Sequence, residues 1–453
     1  SETTASKDCL ILADYFGTTR QSSAYLFKAL GTSKIWPKRS SYRATILLTR
    51  IPSLRQSIHM SRAAMSPQYI VLYSKKSGFA LSARNLNFVH DDLRLSFLLV
   101  SREGDEHELI GNKINDPSEP GIYTKLILPN GIQLTFGQMI ALAGDFFALP
   151  NASIIAVHGG KKPYPGATPD ERKRFMGAYA TLASVPRKSI EKQVATLVTM
   201  IGEDLLVRRY HNGTLHTNAQ YAYVTNGRML KLAAINFDHF EPQAPRAYLV
   251  GHQLAMEKAR EAAKEKDPDT KKKMLNESLS IDAFACHFLT DCFSSGHMRT
   301  PRVELHFQLF VSGLGDLLSK YMHDEDCRFG LRVKNKKGDK WNAYGDGYLI
   351  KTGDKDNFRL VVKAANTSAY QVIQAYQNPD REINVDDVLN LIPFVDPDAV
   401  NNTPLFQMKD GKLQVRVNLD DLQSKEISPN WTGAGRLAKL LVYQPKNSAL
   451  PPA

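Results

Sequence analysis

The stretch HFLTDCFSSGH, residues 287–297, constrains the fold more than any other segment of the chain. Read as helix, His287 and Asp291 stand four residues apart and project from one face. Ser294-Ser295-Gly296 then ends the helix, and the chain turns to bring His297 nearby before Pro301 forbids further helix. Imidazole nitrogen and carboxylate oxygen are ordinary zinc ligands, and one carboxylate can bridge two ions. The competing reading is a core histidine capped by an aspartate one turn on, and for a single His–Asp pair it is the commoner case. The choice depends on whether the rest of the chain supplies partners.

It does. Of 12 histidines, six lie between His239 and His323: His239 in NFDHF, His252 in VGHQLAM, His287, His297, His306, and His323 in MHDED. His323 and Asp326 are three apart at the end of an amphipathic helix and can share a face. Asp145, in LAGDFF, is expected on a helix among apolar neighbours, where an unpaired carboxylate is costly and a metal would compensate it. Histidines and carboxylates drawn inward from several helices are how a bundle builds a multinuclear site.

The surrounding pattern is mainly α. TFGQMIALAGDFFAL opens a run of helical periodicity, followed by ERKRFMGAYATLAS, KSIEKQVATLVTMIGEDLLVRRY, RAYLVGHQLAMEKAREAAKE, SLSIDAFACHFLTDCF and VELHFQLFVSGLGDLLSKYMHDE. GLRVKNKKGDKWNAYGDGYLI reads as a β-hairpin near 330–350, and NFRLVVKAANTSAYQVIQAY returns to helix. Before this, QYIVLYS, LRLSFLLVS and IYTKLILPNG alternate like strands, and near the C-terminus LQVRVNL does the same. The expected organisation is a basic, mixed α/β N-terminal domain (1–130), a helical metal-binding core (131–380) and a C-terminal extension (381–453).

No window holds about 18 consecutive apolar residues, so a transmembrane helix is not expected. Four cysteines in 453 residues are too few for a disulfide framework; Cys286, Cys292 and Cys327 read first as small buried apolar groups. The net charge of +12 is concentrated. From Tyr15 to His90 there are 12 Lys and Arg and no Asp or Glu, while the other 46 basic residues match the 46 acidic ones. Such an arm suits an anionic surface (a membrane leaflet, a nucleic acid or a targeting receptor), or is simply the solvated basic face of a small domain.

H-x3-D-x5-H, followed by a further His and carboxylate on the next helix, resembles the zinc-dependent phospholipases C and the related single-strand-specific zinc nucleases. HFLTDCFSSGHMRTPR, MHDED and WNAYGDG are most similar to the branch of zinc metallophospholipases C typified by Pseudomonas fluorescens and Legionella enzymes. The resemblance covers roughly residues 130–380. It implies a helical core of that type holding two or three zinc ions. One group would be Asp145, His239, His287 and Asp291, the other His297, His323 and a carboxylate among Asp324, Glu325 and Asp326, with Asp326 favoured by helical spacing. The better-known members ligate one zinc through an N-terminal amine and a nearby His. This chain has Ser1, and its first histidine is His59, so a third ion would need His252 or Asp238. The other reading of His252 is a helix-surface or supporting histidine.

The implied reaction is hydrolysis of a glycerophospholipid, phosphatidylcholine first, to diacylglycerol and a phosphorylated headgroup by metal-activated water. Asp145 would also be the base orienting that water, and Asp291 the second carboxylate of the catalytic centre. Arg299 and Arg302 would clamp phosphate or only solvate the surface. Trp341, Tyr344 and Asp346 would line a headgroup pocket or only form a hairpin tip. His59, His90, His107, His211, His216 and His306 are expected not to be ligands, and VHGGKKPYPG to be a loop over the site. The expected partner is a phospholipid membrane surface rather than nucleic acid, for a monomer secreted or translocated into a host cell, with a cytosolic location the alternative. The rivals are a zinc nuclease or other phosphodiesterase, and a non-catalytic lipid-binding effector whose metal is structural.

Overall fold

The computed structural model describes residues 69–74, 79–84, 104–115, 121–157, 166–210, 214–309, 313–349 and 355–453. The strand-like run LRLSFLLVS, residues 158–165 of the VHGGKKPYPG loop, and the basic arm lie outside them. The exception within the arm is one antiparallel hairpin, β1 (Tyr69–Ser74) and β2 (Phe79–Arg84).

The expected mainly α class is the one found. Fourteen helices occur among the described residues. In chain order they begin with α1 (Gly104–Gly111), α2 (Phe136–Leu142), α3 (Pro169–Ala183), α4 (Arg187–Tyr210), α5 (Asn218–Val224), α6 (Arg228–Ala234) and α7 (Gln243–Lys264). There follow α8 (Pro268–Asp291), α9 (Ser295–Met298), α10 (Arg302–Gln308), α11 (Leu314–Phe329), α12 (Asp356–Gln377), α13 (Asp386–Leu389) and α14 (Gly433–Leu440).

The axis of the fold is α8. Asp267 caps it, accepting from Thr270 N at 2.8 Å, and Pro268 sits where its missing N–H costs nothing. From Ser278 to Asp291 every residue is buried. A helix buried on all sides belongs at the centre of a bundle. Helices α7 and α12 pack along it, and α1 and α2 close its C-terminal end. Phe284 and Phe288 are essentially unexposed, and burying each contributes about 1.5–3 kcal/mol. The core therefore fixes the rotation of α8, and with it the direction in which His287 and Asp291 point.

Residues 104–130 do not stand apart from this core. Ile110, Ile114, Tyr123, Leu126 and Leu128 lie in the same cluster as Phe284 and Phe288, Leu126 on the short strand β3 (Leu126–Ile127) that pairs antiparallel with β4 (Gln133–Leu134). Near the C-terminus β7 (Phe394–Val395) joins β5 (Leu331–Lys334) and β6 (Lys340–Ala343) in one antiparallel sheet, in the order β6-β5-β7. The β5–β6 hairpin falls where the sequence places it. A second cluster joins Leu305, Leu317, Leu318 and Met322 of α10 and α11 to Phe406 and Val415 of the hairpin β8 (Phe406–Lys409)–β9 (Lys412–Arg416). Arg416, wholly buried, pairs with both oxygens of Glu325 and locks that hairpin behind α11.

Candidate metal centre

Four elements converge where α8 ends. Asp291 is its last residue, and His287 lies one turn earlier on the same face. The turn at Ser294 leads into α9, which carries His297. A 3-10 turn, Phe237–His239, enters from the start of α7, and Glu241 N donates to His297 O at 3.0 Å, tying that turn to α9. From the other side, α1 brings His107 against His287, ring centroids 4.4 Å apart.

These side chains form two linked sets. Around Asp291, His239 Nδ1 lies 2.9 Å from Oδ2, His287 Nε2 3.6 Å from Oδ2, and His107 Nε2 3.5 Å from Oδ1. Asp145 Oδ1 stands 4.0 Å from His239 Nδ1. In the second set, Asp346 Oδ2 lies 2.8 Å from His323 Nε2 and 3.6 Å from His297 Nε2. His297 joins the sets, since its Nδ1 faces Asp291 Oδ1 at 3.5 Å. Among the described residues three groups could hold a metal ion: His107–His287–Asp291 and Asp145–His239–His287, which share His287, and His297–His323–Asp346 beside them.

The hydrogen bonds around the rings test whether a cation fits. His287 Nδ1 donates to the Ile140 carbonyl at 2.9 Å, so Nε2 carries the lone pair. Thr290 gives its hydroxyl proton to the carbonyls of Cys286 and His287, and therefore accepts from His107 Nδ1 at 2.7 Å. The lone pair on His107 Nε2 is thereby turned toward Asp291. Asp324 Oδ1 lies 3.0 Å from His323 Nδ1 and fixes that ring the same way. Each is the outer partner that a metal-binding histidine usually has. His297 Nδ1 is buried without a hydrogen bond and faces Asp291 Oδ1 at 3.5 Å. Buried lone pairs that face one another cost free energy unless a cation lies between them. The residues present fit a bound metal.

The electrostatics agree. Burial pushes His287 well below its ordinary value and His297 down to about 4, so both are neutral and able to ligate near pH 7. Burial alone would raise Asp291, yet His287 and His239 hold it well below the usual carboxylate range. Burial raises Asp145 to about 6. Burial opposes protonation of His239 as well, but Asp291 overcomes it and lifts His239 to about 9.

The backbone accommodates this at Gly144, with φ +62°: a Cβ there would lie 2.3 Å from the His287 ring. Asp145 therefore follows α2 instead of sitting on it. The helix stops at Leu142 so that the chain can turn in beside His287. A cleft opens onto the two sets, lined by apolar Met229, Leu232 and Phe240 and by polar Asp316 and Lys320.

Several expected site residues are elsewhere. Asp326 forms a two-point pair with Arg299, at 2.9 and 2.7 Å, and Arg299 also donates to Asn402 O. Both are spent holding α11 to the C-terminal segment, and neither Asp326 on α11 nor Arg299 after α9 lines the cleft. Asp346, expected in a headgroup pocket, takes the place Asp326 was expected to fill. His252 is wholly buried on α7, with Nδ1 2.7 Å from Asp282 and Nε2 2.8 Å from Gln371 Oε1. Both its nitrogens are used, so it does not ligate. Asp238 accepts from Ile154 N and Ile155 N and pins that turn instead. Arg302 does line the cleft, but pairs with Asp316. Trp341 and Tyr344 are buried, bonded to Asn357 and to the Pro451 carbonyl. His107 is a donor expected nowhere in the site, and only its flanking carboxylates, GDEHE, hint at it.

The chain matches no family model, no curated protein and no solved structure.

Proposed function

We propose that this chain is a zinc-dependent phosphodiester hydrolase of the phospholipase C type, cleaving glycerophospholipids between glycerol and phosphate at a membrane surface. The observation that carries the reading is the opening of all three donor groups onto one cleft, through residues that include His107, Asp145, His239, Asp291, His297, His323 and Asp346. Structural zinc sites are closed, whereas catalytic ones keep an open position. His and carboxylate donors with no thiolate among the three groups suit zinc, and two groups that share His287 beside a third, separate one suit two or three ions.

Bound zinc would polarise the phosphoryl oxygens and lower the pKa of a coordinated water to about 7. The protein does the rest. Asp145 is the carboxylate of the sets that keeps exposure to the cleft, at 24% against 3% for Asp291 and 5% for Asp346. It is therefore placed to orient the attacking water and take its proton. Asp291, among His107, His239, His287 and His297, holds the sets at fixed spacing as their common carboxylate. The apolar wall of Met229, Leu232 and Phe240 suits a lipid more than a polynucleotide backbone.

Zinc-loaded protein is assayed on phospholipid vesicles and on single-stranded DNA, with and without chelator. Diacylglycerol release that chelation abolishes and zinc restores supports the proposal. Cleavage of DNA alone assigns the same centre to a nuclease, and no cleavage of either removes the enzyme reading.

A further inference from the structure

We infer that Lys320 is the anion-binding residue of this cleft, its ammonium taking an anionic oxygen of the substrate; the inference rests on the hydrolase reading above. Helix α11 presents Asp316, Lys320 and His323 to the cleft at spacings of four and three residues. One helix face thus runs from a metal donor to the outer wall, with Lys320 one turn from His323.

Two cations line the cleft among the described residues, Arg302 and Lys320. Arg302 is committed. Its guanidinium is buried against Asp316 and also donates to Asn236 Oδ1 at 3.0 Å and Ala234 O at 3.1 Å. Lys320 Nζ instead meets Asp324 Oδ2 at 2.7 Å, and the Asp324 side chain is 48% exposed. The Lys320 side chain is 20% exposed, so the pair is open on its Asp324 side and exchanges for a substrate oxygen more readily than the buried Arg302–Asp316 pair. An ammonium has three donors on a flexible stem, and one carboxylate oxygen does not use them all. Asp324 also faces His323 Nδ1 at 3.0 Å, so it keeps a partner when Lys320 moves.

The described lining offers no aromatic cage for a quaternary ammonium. Apart from histidines, Phe240 is the one aromatic among the described residues of the cleft, and that ring packs on His297 with centroids 4.6 Å apart. The anionic oxygen that Lys320 takes belongs either to the scissile phosphodiester or to a charged headgroup.

Zinc-loaded wild type, Lys320→Met and Lys320→Arg are titrated with inorganic phosphate, and their zinc content is measured. The expected result is about 10- to 100-fold weaker phosphate binding in Lys320→Met, near-wild-type binding in Lys320→Arg, and equal zinc in all three. The same proteins are then assayed on vesicles of phosphatidylcholine and of phosphatidylinositol 4-phosphate. Equal loss on both lipids in Lys320→Met places Lys320 on the scissile diester, and loss confined to the second places it on the headgroup. Wild-type phosphate affinity and wild-type cleavage of both lipids in Lys320→Met would overturn the inference. Zinc loss in that variant would also overturn it, making Lys320 a prop for Asp324 and His323. A wild type that cleaves neither lipid would instead remove the hydrolase reading itself.

Discussion

Asp346 Oδ2 lies 2.8 Å from His323 Nε2, joining the turn after β6 to the ligand helix α11. Ser294 Oγ donates to the other Asp346 oxygen at 2.5 Å, and Glu106 on α1 accepts from Gly347 N and Leu349 N at 3.0 and 3.1 Å. The turn is thus fixed from two sides. Asp346→Asn is expected to lower metal content by about one ion per chain, because it weakens one donor set and spares the other. Asp326→Asn is expected to keep its metal and lose about 1–3 kcal/mol of stability, since the part-buried Arg299 is left without its charge partner. Elemental analysis and urea denaturation of the two variants separate these outcomes.

His107 and His252 make a similar contrast. Thr290→Val removes the acceptor that sets the His107 tautomer, and metal affinity should fall about 10- to 100-fold. His252→Ala should leave metal affinity unchanged while destabilising the fold by about 3–5 kcal/mol, because Asp282 loses its buried partner. Competition with a chromophoric chelator, alongside thermal melts, reads both effects.

Gly144→Ala puts a methyl group where the His287 ring stands and forces a residue with a side chain into the left-handed region. The variant should fold, at a cost of about 1–3 kcal/mol, and bind metal at least tenfold more weakly. Unaltered metal affinity would mean that the close approach of this turn to His287 is irrelevant to the site.

Metal binding should release protons. Without metal, His239 keeps its proton up to about 9, and Asp145 begins to take one up below about 6. Both must be unprotonated to ligate, so at pH 7.5 binding should release about one proton or more and strengthen as pH rises. Stability of the metal-free chain runs the other way. With its folded value raised above the ordinary 6.5, His239 contributes stability that is present below 6.5 and lost as pH climbs toward 9. Calorimetry in buffers of different ionisation enthalpy, with melts of metal-free and zinc-loaded protein from pH 6.5 to 9, checks both signs.

Periodicity carried the helical class, because apolar residues at helical spacing around Phe284 and Phe288 have one stable burial. It also placed His287 and Asp291 on one face, since a four-residue spacing needs no tertiary information. His107 was not legible: GDEHE has the look of a solvated helix, and its burial depends on a contact with α8 some 180 residues away. Asp326 and Asp346 were misassigned for the same reason. Helical spacing puts Asp326 near His323, but which face of α11 meets the cleft is set by Arg299 and Arg416 from other parts of the chain. His252 shows the limit of residue type, because a helical histidine can be either a ligand or a core residue paired to a distant carboxylate, here Asp282.

The most direct test is the metal content of purified wild type and His287→Ala, measured together with diacylglycerol release from phospholipid vesicles. The account predicts two or three zinc ions per wild-type chain, and a folded variant that has lost both zinc and hydrolysis. A folded wild type that binds no metal when zinc is supplied, or a His287→Ala variant with full zinc and full activity, would contradict it.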